Sequence, residues 1–235
     1  MKSVLFATAT LALVATSASN AALVYGGGTE TGSRFNAGAG AIAYMNCFTA
    51  IDGTGAQTQL ALESAIVGIR RLVTAGALTD VGMNIYAAEM TFDGVNFGRG
   101  ANYQIYSSAS LGAGAASVTQ LVNTGAVSGV TLNLETVSNA GLGGWWIGVE
   151  FTGANAASTA NGWRVMNAPT TGASINAFGG FNFSGSGVFA AFFAFGTPPG
   201  SSPSRLMVDV NGTLVPAPGA IALLGLAGLV GRRRR

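Results

Sequence analysis

The sequence predicts an all-β body, a two-sheet antiparallel β-sandwich of jelly-roll-like form, set between an N-terminal signal peptide and a separate C-terminal apolar helix. Three observations carry this. Apolar residues alternate with polar ones at period two, the mark of half-buried antiparallel strands. Turn-forming clusters, Asp52-Gly53, Asp93-Gly94, Gly112-Ala113-Gly114 and Asn211-Gly212, separate the runs. The chain also holds 36 glycines, which suit turns and bulges and would be costly inside helices.

The elements follow in chain order. Residues 1–21 have Lys2 as a minimal basic start, an apolar stretch from Val4 to Ala15, and small residues ending Ser19-Asn20-Ala21. That is the form of a secretory signal peptide, cut by signal peptidase after Ala21. The apolar stretch falls well short of the roughly 20 residues needed to span a bilayer. The body, residues 22–214, alternates at Val81, Met83, Ile85 and Ala87; at Val130, Leu132 and Leu134; at Trp145, Ile147, Val149 and Phe151; and at Leu206, Val208 and Val210. Residues 57–73 read two ways. Leu62, Ile66, Ile69 and Val73 share a helical stripe, but Gly68 sits in its middle and weakens a helix. Strand is the preferred reading. Seven of the thirteen phenylalanines crowd between Phe178 and Phe195, which suits core or strand-pairing material that anchors the sandwich.

Composition narrows the function classes. Charged residues make up 9% of the chain, so no large polyelectrolyte surface exists, and 49% hydrophobic residues argue against disorder. Histidine is absent, which removes Ser-His-Asp and Cys-His catalysis and every His-ligated metal site. The pI near 9.0 is a property of the ends. Lys2 and Arg232 to Arg235 lie outside the body, which keeps six arginines against all nine acids and is mildly acidic. No basic stripe for phosphates is visible, so nucleic acid is not an expected partner. Cys47 is the single cysteine and reads as a small buried hydrophobe.

The last 21 residues are the most informative. Val215-Pro216-Ala217-Pro218-Gly219 precedes the small-residue apolar run 220–231, and Arg232, Arg233, Arg234 and Arg235 follow. Neither proline can donate to a ladder, so they end the preceding strand. The apolar run is about 18 Å long as a helix, and the arginines would be held cytoplasmic. An exported body stopped by such a segment is a transient inner-membrane anchor. This order of Pro-x-Pro motif, apolar helix and Arg cluster resembles the PEP-CTERM sorting signal of Gram-negative bacteria, with Pro216-Ala217-Pro218 standing where Pro-Glu-Pro is usual. The resemblance implies processing by an exosortase-type membrane protease and a place at the cell surface or in the extracellular matrix. The body is similar to β-sandwich ectodomains found ahead of such tails, with a Trp-Trp-Ile-Gly-Val strand and an aromatic, Gly-rich finish.

Candidate chemistry in the body is sparse. Glycoside hydrolysis needs two carboxylates about 5–10 Å apart, and no Glu-x-Glu or Asp-x-Glu spacing sets two acids on one strand face. Solvated faces and turns are the expected places for the acids. No catalytic residue, cofactor or metal site is expected, calcium included, because Asp93 and Asp52 each stand as lone carboxylates in turns. The one suggestive signal is aromatic. If Trp145 faces the core, Trp146 and Glu150 share the opposite face and could offer a stacking ring and an acceptor to a sugar, with Trp163 nearby in sequence. The expectation is therefore a non-enzymatic surface or matrix protein with polysaccharide as its candidate partner. The alternative is a secreted carbohydrate-active enzyme using two carboxylates from different strands.

Overall fold

The computed structural model describes residues 22–35, 42–50, 57–71, 81–93, 97–112, 118–137, 142–155, 161–174, 178–181, 189–191 and 205–216. The signal peptide and the tail beyond Pro216 lie outside these residues. Among the described residues the structure is all-β. The strands are β1 (Ala22–Tyr25), β2 (Glu30–Phe35), β3 (Ile42–Ala50), β4 (Gln57–Arg71), β5 (Gly82–Phe92), β6 (Phe97–Ser108) and β7 (Thr119–Asn123). They continue with β8 (Thr131–Asn133), β9 (Glu135–Val137), β10 (Leu142–Thr152), β11 (Asn161–Met166), β12 (Phe178–Phe181), β13 (Phe189–Ala191) and β14 (Val208–Pro216).

Two antiparallel sheets form the sandwich. The first runs β1-β14-β4-β11-β2, with β7 and β8 also on β4; the second runs β13-β12-β3-β10-β5-β6, with β9 on β10. Each turns one face into a shared core, as the alternation demands. Trp145, Ile147, Val149 and Phe151 of β10 meet Leu60, Val67 and Ile69 of β4 and Val208 and Val210 of β14, all fully buried. Cys47 is buried among them, and burial pushes its thiol well above the ordinary range. Glu89 of β5 stitches the seam between the sheets by accepting from the Asn133 backbone and side-chain amides of β8 at 3.0 and 2.6 Å.

Residues 57–71 are strand, and the helical stripe does not form one face of it. Asn211 pairs with Ser64 but Gly212 with Leu62, so Glu63 is an extra residue and its bulge switches the inward parity of β4. Leu60 and Leu62 face the core on one side of the bulge and Ala65, Val67 and Ile69 on the other. Of the stripe residues, Leu62 and Ile69 face the core from opposite sides of the bulge, whereas Ile66 lies outside the core between inward Ala65 and Val67.

Two expectations change. Asn211-Gly212 is not a turn but lies inside β14, opposite that bulge. A Cβ on Gly212 would sit 2.5 Å from the Ala61 carbonyl oxygen, so glycine is needed for close backbone approach rather than for reversal. The run 130–135 is not one strand either. It divides at Leu134, with β8 joining β4 in the first sheet and β9 joining β10 in the second. At the other end of the body β14 continues through Val215 to Pro216, which pairs with Gln57. The sheet therefore takes in the first two residues assigned to the tail. The Phe-rich region contributes β12 and β13 at an edge of the second sheet. Phe183, Phe192, Phe193 and Phe195 lie outside the described residues.

Candidate functional site

The outward face of β10 presents Gly144, Trp146, Gly148 and Glu150 in turn, opposite Phe48, Asn46, Tyr44 and Ile42 of β3. The two glycines make room for rings. A Cβ on Gly144 would lie 2.8 Å from the Phe48 ring, and one on Gly148 would lie 2.6 Å from the Tyr44 ring. Tyr44 and Phe48 therefore fold over β10 on either side of Trp146, while Ala88 and Met90 of β5 join the same cluster. The indole is fully buried and donates from Nε1 to the Gly98 carbonyl at 2.9 Å. This corrects the expectation of an exposed platform: a ring with no accessible face cannot stack on a sugar. Alternation identifies the outward face of a strand, but it cannot show that a second, smaller apolar cluster covers that face.

Glu150 stands at the polar end of the same face. Its Oε2 accepts from Asn84 Nδ2 and from Tyr86 Oη, both at 2.9 Å. Nearby, Tyr44 Oη accepts from Arg99 at 2.7 Å and donates to Asn102 at 3.2 Å. The Arg99 guanidinium lies 5.5 Å from the Tyr44 ring centre. Trp163 is elsewhere. It faces the core from the first sheet and donates to the Met207 carbonyl at 2.9 Å. Trp146 and Glu150 thus share a face, and Trp163 joins neither. Of the residues the sequence suggests for a sorting signal, Pro216 closes β14, and Pro218 and Arg232 to Arg235 lie outside the described residues.

A shallow groove of about 270 Å³ adjoins this cluster, lined by Thr91, Phe92, Asp93, Phe97, Gly98 and Glu135. Phe92 and Phe97 pair with ring centres 4.6 Å apart, and Phe97 also packs on the Trp146 cluster. Asp93 after β5 and Glu135 at the start of β9 both line this groove, although more than forty residues separate them in sequence. No spacing rule in the sequence could have placed these two residues on one groove. The other described acids do structural work: Glu63 accepts from Thr213 at 2.7 Å and Asp209 from the Gly27 amide at 2.7 Å. Among the described residues no group of three Cys, Asp or Glu side chains is placed to hold a metal ion.

The tyrosines on this face carry a pH prediction. Burial, reinforced by the bond to the Glu150 carboxylate, pushes the Tyr86 phenol up to about 12 from an ordinary 10.0. Burial also raises Tyr44, with Arg99 offsetting part of the rise. A phenol whose pKa is higher in the folded than in the unfolded chain stabilises the fold in full below pH 10. That contribution is lost as the pH climbs from 10 towards 12, because the unfolded chain sheds its proton first. Tyr86→Phe removes the titrating group. It should cost about 0.5–1.5 kcal/mol at neutral pH for the lost hydrogen bond and flatten the alkaline fall. Thermal midpoints from about pH 8 to 12 check this, and a variant that falls as steeply as the parent would contradict it.

No protein-family model matches the chain, and comparison with curated proteins and with solved structures likewise finds no match.

Proposed function

We propose that the chain is an exported protein of the bacterial envelope, sorted by its C-terminal tail. On this reading it serves as a structural or binding component of the cell surface or extracellular matrix, with extracellular polysaccharide as its partner. The observation that carries the reading is the junction at Pro216. The last residue of β14 is the first proline of the Pro-x-Pro motif. The apolar run 220–231 and the arginines Arg232 to Arg235 follow directly in sequence. A signal-peptide-like segment at the opposite end supports export of everything between. The body fits a jelly-roll-like plan, since β2 and β3, and β3 and β4, are consecutive in the chain but lie in opposite sheets.

Signal peptidase would free Ala22, the apolar segment would hold the precursor in the inner membrane, and an exosortase-type protease would release the body. Such a role needs no catalytic residue and no cofactor in the sandwich itself. Mass spectrometry of the mature protein recovered from the cell surface tests it. The expected product begins near Ala22 and has lost its arginine cluster. Surface material still ending at Arg235 would overturn the reading.

A further inference from the structure

The arginines that are scattered along the body do not stay scattered. Arg164 of β11 stands directly opposite Arg34 of β2 in the first sheet. Their flanking partners Trp163 and Phe35 turn into the core, so both guanidiniums project from the outer face. Arg70 of β4 follows inward Ile69 and reaches the same face, where it is paired with Gly162, which has no side chain to obstruct it. One oxygen ties two of the three together. The Gly32 carbonyl accepts from Arg164 Nη1 at 2.7 Å and from Arg70 Nη1 at 3.5 Å.

Arg164 is the anchor of the group. It is 3% exposed, donates from Nε to Thr119 Oγ1 at 2.8 Å, and forms an ion pair with Glu30 at 3.4 Å. Thr119 also donates to Glu30. Around this fixed centre Arg34 and Arg70 are more open, beside β2, whose first four residues are exposed. Burial, then the fields of Arg70 and Arg164, hold the Arg34 guanidinium below its ordinary value.

Half of the body's six arginines thus meet on one face of a chain whose acids outnumber them. Like charges set directly opposite in a ladder are destabilising, and such local conflicts concentrate at functional sites. We propose that Arg34 and Arg70, set around the buried Arg164, form a binding site for the carboxylates of an acidic polysaccharide. A planar guanidinium fork matches a carboxylate with two parallel hydrogen bonds. An otherwise acidic body disfavours a densely charged phosphate polymer. The choice of an extracellular polymer as the source of those carboxylates rests on the export reading above.

The test is affinity electrophoresis of the purified protein through gels carrying polygalacturonate or neutral dextran. The parent should be retarded by polygalacturonate alone, and added salt should release it. The double variant Arg34→Gln, Arg70→Gln should lose about tenfold or more in affinity. A cooperative thermal transition shows that the fold survives the double substitution. Should the double variant fail to fold, Arg34→Lys keeps the charge without the fork. Weaker retention by that variant supports the site, and unchanged retention overturns it. Equal retention of parent and double variant, equal retardation by dextran, or no retention of the parent each sinks the inference. A correctly processed surface protein indifferent to polygalacturonate would defeat this inference alone. Retention that depends on Arg34 and Arg70 in a protein still ending at Arg235 would defeat the export reading instead.

Discussion

Trp146→Ala should cost the fold about 3–5 kcal/mol, the range for deleting a large aromatic ring from a packed interior. The indole is fully enclosed, between rings that fold over Gly144 and Gly148 and against Ala88 and Met90. Neither Tyr44 nor Phe48 can follow it into the void without leaving the glycine it covers. The truncation also removes the donor to the Gly98 carbonyl, a bond that links β10 to β6 across the intervening β5. Trp146→Phe separates the two losses. It keeps most of the apolar volume but leaves the carbonyl without its indole donor, and about 1–3 kcal/mol is the expected cost. Urea unfolding measures both, with the midpoint falling and the slope unchanged if the unfolded ensemble is unaffected. A loss below about 0.5 kcal/mol for Trp146→Ala, the level of an ordinary surface change, would mean that the ring is not packed as described. The sugar-platform reading expects the reverse, little loss of stability and a loss of ligand.

What the sequence revealed and what it concealed divide along one physical line. Period-two alternation reports which side of a strand is apolar, and it correctly placed Trp145, Ile147, Val149 and Phe151, with Leu206, Val208 and Val210, in the core. It says nothing of what lies over the other side. Hence Trp146 read as exposed, although Tyr44 and Phe48 close over it from a strand about a hundred residues earlier. Local turn chemistry failed at Asn211-Gly212 for a related reason. Glycine serves a reversal and a close backbone approach equally well, and only the partner strand decides which. Glu63 shows the same limit, since its bulge moves the inward side of β4 from Leu62 to Ala65 and leaves Ile66 outside the core. The meeting of Arg34, Arg70 and Arg164, and the place of Asp93 and Glu135 on one groove, belong wholly to the topology. Each member of these groups is unremarkable where it stands in the chain.

On the proposed sorting reading, neutralising Arg232 to Arg235 should have the largest effect in the cell while leaving the sandwich untouched. The apolar run of residues 220–231 is short for a hydrocarbon core of about 30 Å, so its own hydrophobicity gives it a weak hold on the bilayer. Its orientation then depends on the charges beside it, and the positive-inside rule assigns that role to Arg232, Arg233, Arg234 and Arg235. Each arginine near an anionic cytoplasmic leaflet contributes about 1 kcal/mol towards holding the end of the tail there. Replacing all four with glutamine should let the tail slip across with the exported body. The precursor would then leave the inner membrane unprocessed, with residues 220–231 still attached. The body should fold as before, because its last described strand ends at Pro216 and the described core residues all lie upstream of the substitutions. Membrane fractionation with C-terminal mass spectrometry reads both consequences in one sample. If the quadruple variant is still anchored and still trimmed, the arginines are not the determinant, and retention must come from the apolar segment or from Pro216 and Pro218. A variant that retains two arginines tells the alternatives apart. Electrostatic pinning predicts partial release from the membrane, whereas recognition of the proline motif predicts none.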